Sequence, residues 1–249
     1  MDNSGLAVEA AQAVARSEGI HAVTRTIGAV KITDVKISEA AEKQVGKPRG
    51  RYITLESEPH AAGLSALLSR ALSQVIPPRG RLFAVGLGNP DITQDSLGAA
   101  VIRGIAARKG RRYTLSAIET DVAAKTGLET ARLVKAAARE LRADCVIAVD
   151  ALACKDPRAI GRTVQITDAG LIPGAGADCT RGALSRERLG IPVAAVGVPT
   201  MTVLSSVTQN RSDSGFHVTT ADIDVLIKMW AEVLGGAVDS LIGQHIAIL

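Results

Sequence analysis

Aromatic residues are scarce: among 249 residues only Trp230, Tyr52, Tyr113, Phe83 and Phe216 carry rings, 2% of the chain. Single-stranded nucleic acid is gripped by stacking on such rings, so that class of partner is disfavoured. His21, His60, His217 and His245 are the only histidines, and none lies between residues 61 and 216. Ser-His-Asp or Cys-His catalysis in that stretch would need an imidazole from a flanking segment. Histidine-rich zinc spacings such as H-E-x-x-H are missing as well. Cys145, Cys154 and Cys179 are odd in number and form no C-x-x-C, which argues against a disulfide framework and against a zinc cluster. No apolar run approaches the ~20 residues of a membrane span. Residues 1–5 lack the basic and apolar regions of a secretory signal, so the cytoplasm is the expected compartment. Phosphate loops fail too. Gly86-Leu87-Gly88 follows an apolar run, but Asp91 stands where a dinucleotide fingerprint needs its third glycine, and no G-K-S/T follows any glycine loop.

What is present describes an ordinary folded, water-soluble chain: 47% hydrophobic and 22% charged residues. Twenty-nine Lys and Arg against 25 Asp and Glu give a net charge of +4. That is a mild bias toward acidic partners and not the footprint of a nucleic-acid-binding protein. The chain reads as one α/β domain over 1–249, with a mixed N-terminal region to about residue 78 and a core from about 79 onward, divided by Pro77-Pro78-Arg79-Gly80.

In the first region, 7–15 reads as a short helix, 28–37 as a half-buried alternating strand, 51–55 as a strand and 64–75 as a helix. In the second, 82–87 (LFAVGL), 145–149 (CVIAV) and 193–198 (VAAVGV) are near-continuous apolar runs, as strands buried on both faces require. Helical stretches at 97–107, 129–141 and 183–189 lie between them, and 164–167 adds an alternating strand. This alternation predicts an α/β fold with a largely parallel or mixed central sheet flanked by helices. A last helix over 220–242 contains Gly235-Gly236, where a bend or break is expected.

Ligands of such sheets gather beyond the carboxyl ends of the strands. Those loops are expected at Gly88-Asn89-Pro90, Asp150-Ala151, Asp168-Ala169-Gly170 and Pro199-Thr200. With histidine and metal motifs absent, carboxylate chemistry is what remains. Asp95 precedes the helix at 97, Asp150 ends an apolar strand where an unpaired charge is costly, and Asp168 ends the next strand. Two carboxylates brought close cannot both ionise freely, so one keeps a proton and the other acts as a base toward water. The plain alternatives are that Asp95 caps its helix and Asp150 bonds to turn amides. The glycine-rich run from Gly170 through Gly174 to Gly176 could offer backbone N–H groups to a carbonyl or oxyanion, or could be only a turn. Glu129 and Thr130 suit a helix start. Cys154 and Cys179, with no base in view, are poor candidates for a thiol nucleophile.

Several segments together carry a resemblance: VGLGNPDITQDSLGAAVI (85–102), KTGLETARLVK (125–135), CVIAVDALAC (145–154), VQITDAGLIPGAGA (164–177) and LGIPVAAVGVPT (189–200), flanked by LAVEA (6–10), GKPRGRYITLE (46–56) and VTTADIDVLIKMWAEVLGGAVDSL (218–241). In this order they resemble the germination proteases of spore-forming bacteria, over nearly the whole chain. The resemblance implies a fold similar to the hydrogenase-maturation peptidases. It also implies an aspartic-type endopeptidase that begins the degradation of small acid-soluble spore proteins in the forespore or spore core. It places the catalytic pair at Asp95 and Asp150, with Asn89, Asp168, Gly174 and Gly176 as substrate-binding residues. It further implies a zymogen with a short N-terminal prosegment, a homotetramer, no cofactor or metal, and no direct contact with nucleic acid or membrane. Two rivals are weighed beside it. VGLGNP (85–90) also opens the peptidyl-tRNA hydrolases, but the histidine they place soon after it is absent here. A catalytically inactive α/β binding or assembly protein is the other, against which stands the presence of both Asp95 and Asp150.

Overall fold

The computed structural model describes residues 6–9, 19–172, 182–208 and 216–243. Its frame is one ten-stranded mixed sheet. The strands are β1 (Ile20–Ile27), β2 (Val30–Ile37), β3 (Gly50–Glu56), β4 (Gly80–Gly86), β5 (Arg108–Lys109), β6 (Tyr113–Glu119), β7 (Cys145–Cys154), β8 (Thr163–Thr167), β9 (Val193–Val203) and β10 (His217–Val218). They lie in the order β1-β2-β3-β8-β9-β7-β4-β6-β5, with β10 on the end of β9. The three apolar runs are therefore neighbours. β9, β7, β4 and β6 are mutually parallel, while β1, β2, β3 and β8 attach antiparallel to one side. The N-terminal region thus continues the sheet of the core.

Helices cover both faces. On one lie α1 (Leu64–Leu72), α2 (Leu97–Arg103) and, later in the chain, the long C-terminal helix; on the other lies α3 (Thr130–Glu140). Alternation along the strands sorts the core accordingly. Leu82, Ala84, Cys145, Ile147 and Val149 pack with Leu68, Leu97, Val101 and Trp230, while Phe83, Val85, Val146 and Ala148 pack with Ala131, Val134 and Ala138. Each fully buried Leu, Ile or Phe contributes about 1.5–3 kcal/mol, so these two-sided strands anchor whatever extends from their ends.

The C-terminal helix α4 (Ile223–Ile242) runs unbroken through Gly235-Gly236, which overturns the expected bend. A Cβ at position 236 would stand 3.4 Å from Ser65 Oγ, and Ser65 Oγ donates to the Val233 carbonyl at 3.1 Å. Close approach of α1 accounts for the small residue without a break. Ile223, Ile227, Trp230 and Leu234 are all buried, and the Trp230 indole N–H is satisfied by the Gly161 carbonyl at 2.7 Å. The apolar face of α4 is thus used within its own domain.

β1 and β6 were not expected from the pattern. β1 pairs along its length with β2 across a two-residue loop in which Gly28 adopts φ 57°, as such hairpins require, yet almost all its side chains are exposed. The expected helix over 7–15 is helical at 7–9; its remainder lies outside the described residues.

Candidate active site

The site is assembled where β4 ends beside β7, which runs on past Asp150 to Cys154. The Leu87 N–H donates to the Val149 carbonyl at 2.9 Å, so Gly88 and Asp150 are the next residues out on adjacent strands. Gly88 then turns with φ 100°, a conformation that glycine supplies at little cost. A Cβ there would stand 2.1 Å from the Asp95 carbonyl oxygen and 2.9 Å from Asp95 Oδ1. The loop curls back on itself: Asp95 Oδ2 accepts the Asn89 backbone N–H at 2.7 Å, and Asp95 sits at the end of the single 3-10 turn Thr93–Asp95. That turn packs on both β7 and β9.

Two glycines make this approach possible. A Cβ at Gly86 would lie 2.3 Å from the Gly98 carbonyl oxygen, and one at Gly98 would lie 2.3 Å from Leu87 N and 2.6 Å from the Val149 carbonyl oxygen. The first turn of α2 is pressed directly onto the end of β4 and onto β7, one residue before Asp150. From the far side, Thr200 Oγ1 donates to the Gln94 carbonyl at 2.6 Å, and Thr219 Oγ1 to the Thr200 carbonyl at 2.6 Å. Thr200 occupies the register shift between β7 and β9, where Leu152 pairs with Pro199 and Ala153 with Met201. The bulge re-aims it at the Asp95 turn. Gly98 did not stand out in the sequence, where a glycine inside a helical pattern was the available signal, and Thr200 did so only as part of an expected loop.

Asp150 is 3% exposed. Continuing the alternation of β7, its side chain turns toward the α3 face, and its Oδ1 accepts the Ala151 N–H at 3.0 Å. Across the sheet it pairs with Gly197, which pairs in turn with Gln165 of β8. Gln165 Oε1 accepts the Ala7 N–H at 2.6 Å, and Leu6 and Val8 are buried beside Leu152 and Cys154. Ala7 is therefore tied to the row that runs from Gln165 through Gly197 to Asp150, while Leu6 and Val8 also pack with Ile223 and Ile227 of α4.

On the α3 face opens a small cleft, continuous with solvent. Its walls are the Leu87–Asp95 loop, Asp121 to Ala123 beyond β6, and Glu129 to Ala131 at the start of α3, with Gly182. Asp95 lines it. Glu129 is ion-paired with Arg188 across the rim. Lys125 bonds Asp91 and Asp121 at 2.6 Å each; its hydrogen bond holds the Asp121 carboxyl below the usual range, and the Asp121 carboxylate raises the Lys125 ammonium.

The other expected site residues fare differently. The side chain of Asn89 is engaged in building the loop, accepting the Asp91 N–H at 3.0 Å. Asp168 is not brought to the site. β8 runs antiparallel to β9, so its carboxyl end lies at the opposite end of the sheet from Asp150, and Asp168 Oδ1 there accepts the Arg51 N–H at 2.7 Å. The expected loops at Asp150-Ala151 and Pro199-Thr200 are strand instead, because β7 and β9 stay paired through Cys154 and Thr202, and only the Gly88-Asn89-Pro90 loop opens where expected. Gly174, Gly176 and Cys179 lie outside the described residues. Cys145 and Cys154 are buried, and burial is the main cause pushing each thiol up to about 12. We expect both to resist a thiol reagent at pH 8 in the native protein and to react on unfolding. Peptide mapping by mass spectrometry checks this, and native labelling of Cys154 would contradict it. The same shifts give a sign for stability. The folded form keeps these protons where the unfolded chain releases them, so stability falls as pH rises from 9 toward 12.

Asp150 lies within β7, and Asp95 on the turn that follows the neighbouring parallel strand β4, in a stretch that has no histidine. The fold is that of an α/β protein with a mixed central sheet flanked by helices. Residues 5–215 match the germination protease family, and the chain belongs to that family. Among its relatives, the germination protease of Priestia megaterium is 33% identical over 208 residues, covering 74% of this chain and 56% of the relative. That of Clostridium tetani is 33% identical over 207 residues, covering 75% and 64%. That of Caldanaerobacter subterraneus is 35% identical over 193 residues, covering 69% and 60%. The chain thus spans about three fifths of the length of the relatives it matches. Among solved structures it is similar to the NiFe hydrogenase maturation protease HycI from Thermococcus kodakarensis, with a TM-score of 0.42 and 17% identity over 68% of this chain and 99% of that one. Among the described residues, no helix is long and apolar enough to cross a membrane.

Proposed function

We propose that this chain is an endopeptidase of the aspartic type that cleaves small acid-soluble spore proteins, with Asp95 and Asp150 activating water between them. The observation that carries the reading is the packing of the Asp95 turn on β7, the strand of Asp150, beside an open cleft. One carboxyl carries a proton while the other, ionised, deprotonates the attacking water. The protonated partner polarises the scissile carbonyl and then protonates the leaving amine. Each role suits a side chain whose environment differs from its partner's, and Asp150 is buried while Asp95 faces the cleft.

The zymogen reading is supported by the Ala7 N–H bond to Gln165, which shares a sheet row with Asp150; removal of N-terminal residues would uncover Gln165. A homotetramer and a spore-core location rest on family membership, since the apolar face of α4 is already covered within the domain.

The test is incubation with a purified small acid-soluble spore protein, before and after trimming of the N-terminal residues, with products read by mass spectrometry. We expect one or a few internal cuts, insensitive to chelators because no metal takes part in the mechanism. Absence of cleavage by the trimmed protein, or chelator inhibition reversed by added metal, would refute the proposal and favour the inactive binding protein or a metallopeptidase respectively.

A further inference from the structure

The loop that carries Asp95 has little apolar burial to hold it. Asp91 is exposed, and Ile92 is 43% exposed. Opposite stands a rigid post. Thr120 is 6% exposed, and both its N–H and its Oγ1 donate to the Gly86 carbonyl, at 2.8 and 2.9 Å, which fixes the following Asp121 to the end of the sheet. Asp121 Oδ1 also accepts the Val122 N–H at 2.7 Å. Lys125 joins the two, with Nζ 2.6 Å from Asp121 Oδ2, 2.6 Å from Asp91 Oδ2 and 3.4 Å from Asn89 Oδ1. Asn89 is the residue whose backbone N–H holds the Asp95 carboxylate.

We infer that Lys125 is a positioning residue, a cationic clasp that closes the Asp95 loop against the end of β6 and so sets the place of Asp95 in the cleft; its effect on turnover rests on the peptidase reading above. The two carboxylate oxygens it bridges are no more than about 5 Å apart. Without the ammonium they repel each other across the wall of the cleft, and the loop, tethered at Gly88 and Ser96, moves outward. Asn89 and the Asp95 carboxylate move with it. Exposed ion pairs add little to global stability, so the consequence is local and not a general loosening of the fold.

The experiment compares Lys125→Met, Lys125→Arg and, as a control, Lys31→Met, which removes an exposed cross-strand pair with Glu56 at 2.8 Å on the far side of the sheet. Amide hydrogen exchange over residues 89–95 is measured in the full chain, alongside kcat, KM and Tm. For Lys125→Met we expect exchange in this segment about tenfold faster, with Tm almost unchanged. We expect kcat about tenfold lower and KM within about threefold, because the misplacement concerns the reacting groups more than binding. Lys125→Arg restores both readouts, and Lys31→Met alters neither. Raising the ionic strength from about 0.05 to about 0.5 M moves the exchange of the wild type toward that of Lys125→Met and leaves the variant unaffected. Unchanged exchange in Lys125→Met overturns the inference, as does a fall in Tm with loss of activity that Lys125→Arg fails to rescue. Exchange is read whether or not the protein cleaves anything. A wild type without peptidase activity therefore defeats the proposed function while the exchange result still decides the clasp.

Discussion

We expect Asp95→Asn and Asp150→Asn each to lower kcat for peptide cleavage by about 10⁴-fold, and the double variant to be hardly worse than either single one. The size follows from the chemistry: an amide neither takes the proton of water nor returns one to the leaving amine, and a loss of about 10³–10⁴ is usual for a group whose role is confined to the transition state. Non-additivity follows because the two residues act as one unit. Folding is spared in both cases for a local reason. Asp150 Oδ1 accepts the Ala151 N–H, and Asp95 Oδ2 accepts the Asn89 N–H; an asparagine oxygen of the same shape accepts either bond. Asp168→Asn provides the contrast. That residue lies at the other end of the sheet on the Arg51 amide, so kcat should change by less than about threefold, with a stability loss of ~1 kcal/mol or less. Steady-state kinetics with thermal melts on the four variants checks this. Full activity in Asp95→Asn or Asp150→Asn would rule the mechanism out.

The difference between Asp150 and Asp168 also shows what a sequence conveys. Both follow apolar or alternating runs, and nothing in either run records the direction of its strand. Val164 and Ile166 face the core on one side of β8, which a strand satisfies equally well whether parallel or antiparallel to β9. Direction is set by connections and partners, not by the local pattern. The central strands were legible because burial on both faces forces an unbroken apolar run at 82–87, 145–149 and 193–198. β1 was not, because seven of its eight residues are exposed and its side chains bear no imprint of a core. It is held by the ladder to β2 alone. β6 alternates Tyr113, Leu115 and Ala117 toward the core, with Thr114, Ser116 and Ile118 on the other face, a weaker signal than a continuous run. Of the candidate pair, Asp150 was legible as a charge set in an apolar strand, where charge is expensive, and Asp95 only as an acid ahead of a helix. Thr200 and Lys125 act through loops whose conformation depends on residues about a hundred or about thirty-five positions away, and single-residue chemistry carries no mark of that.

Gly98→Ala should damage both stability and catalysis, although alanine is the better helix former. Gly98 lies in the first turn of α2, where propensity alone would favour alanine by about 1 kcal/mol. The added methyl carbon, however, would sit 2.3 Å from Leu87 N, 2.4 Å from the Leu87 carbonyl oxygen and 2.6 Å from the Val149 carbonyl oxygen. All three atoms are backbone on two-sided central strands, so they cannot yield as a flexible side chain would. Relief comes only if α2 moves off the sheet, and overpacking of this kind costs about 1–3 kcal/mol or somewhat more. A net loss of ~2 kcal/mol lowers Tm by roughly 4–8 °C in a chain of this size. The Asp95 turn leads directly into α2, and Val149 precedes Asp150, so the same displacement separates the two carboxylates. A shift near 1 Å suffices for a loss of about 100-fold in kcat. Gly235→Ala serves as the opposing control, because its nearest neighbour would be the carbonyl oxygen of Gly104, at the end of α2, at 3.9 Å, an ordinary van der Waals contact. There the helix gains about 0.5–1 kcal/mol and activity stays at the wild-type level. If Gly98→Ala melts at or above the wild-type temperature and turns over normally, the close approach of α2 to β4 and β7 does not set the geometry of the aspartate pair.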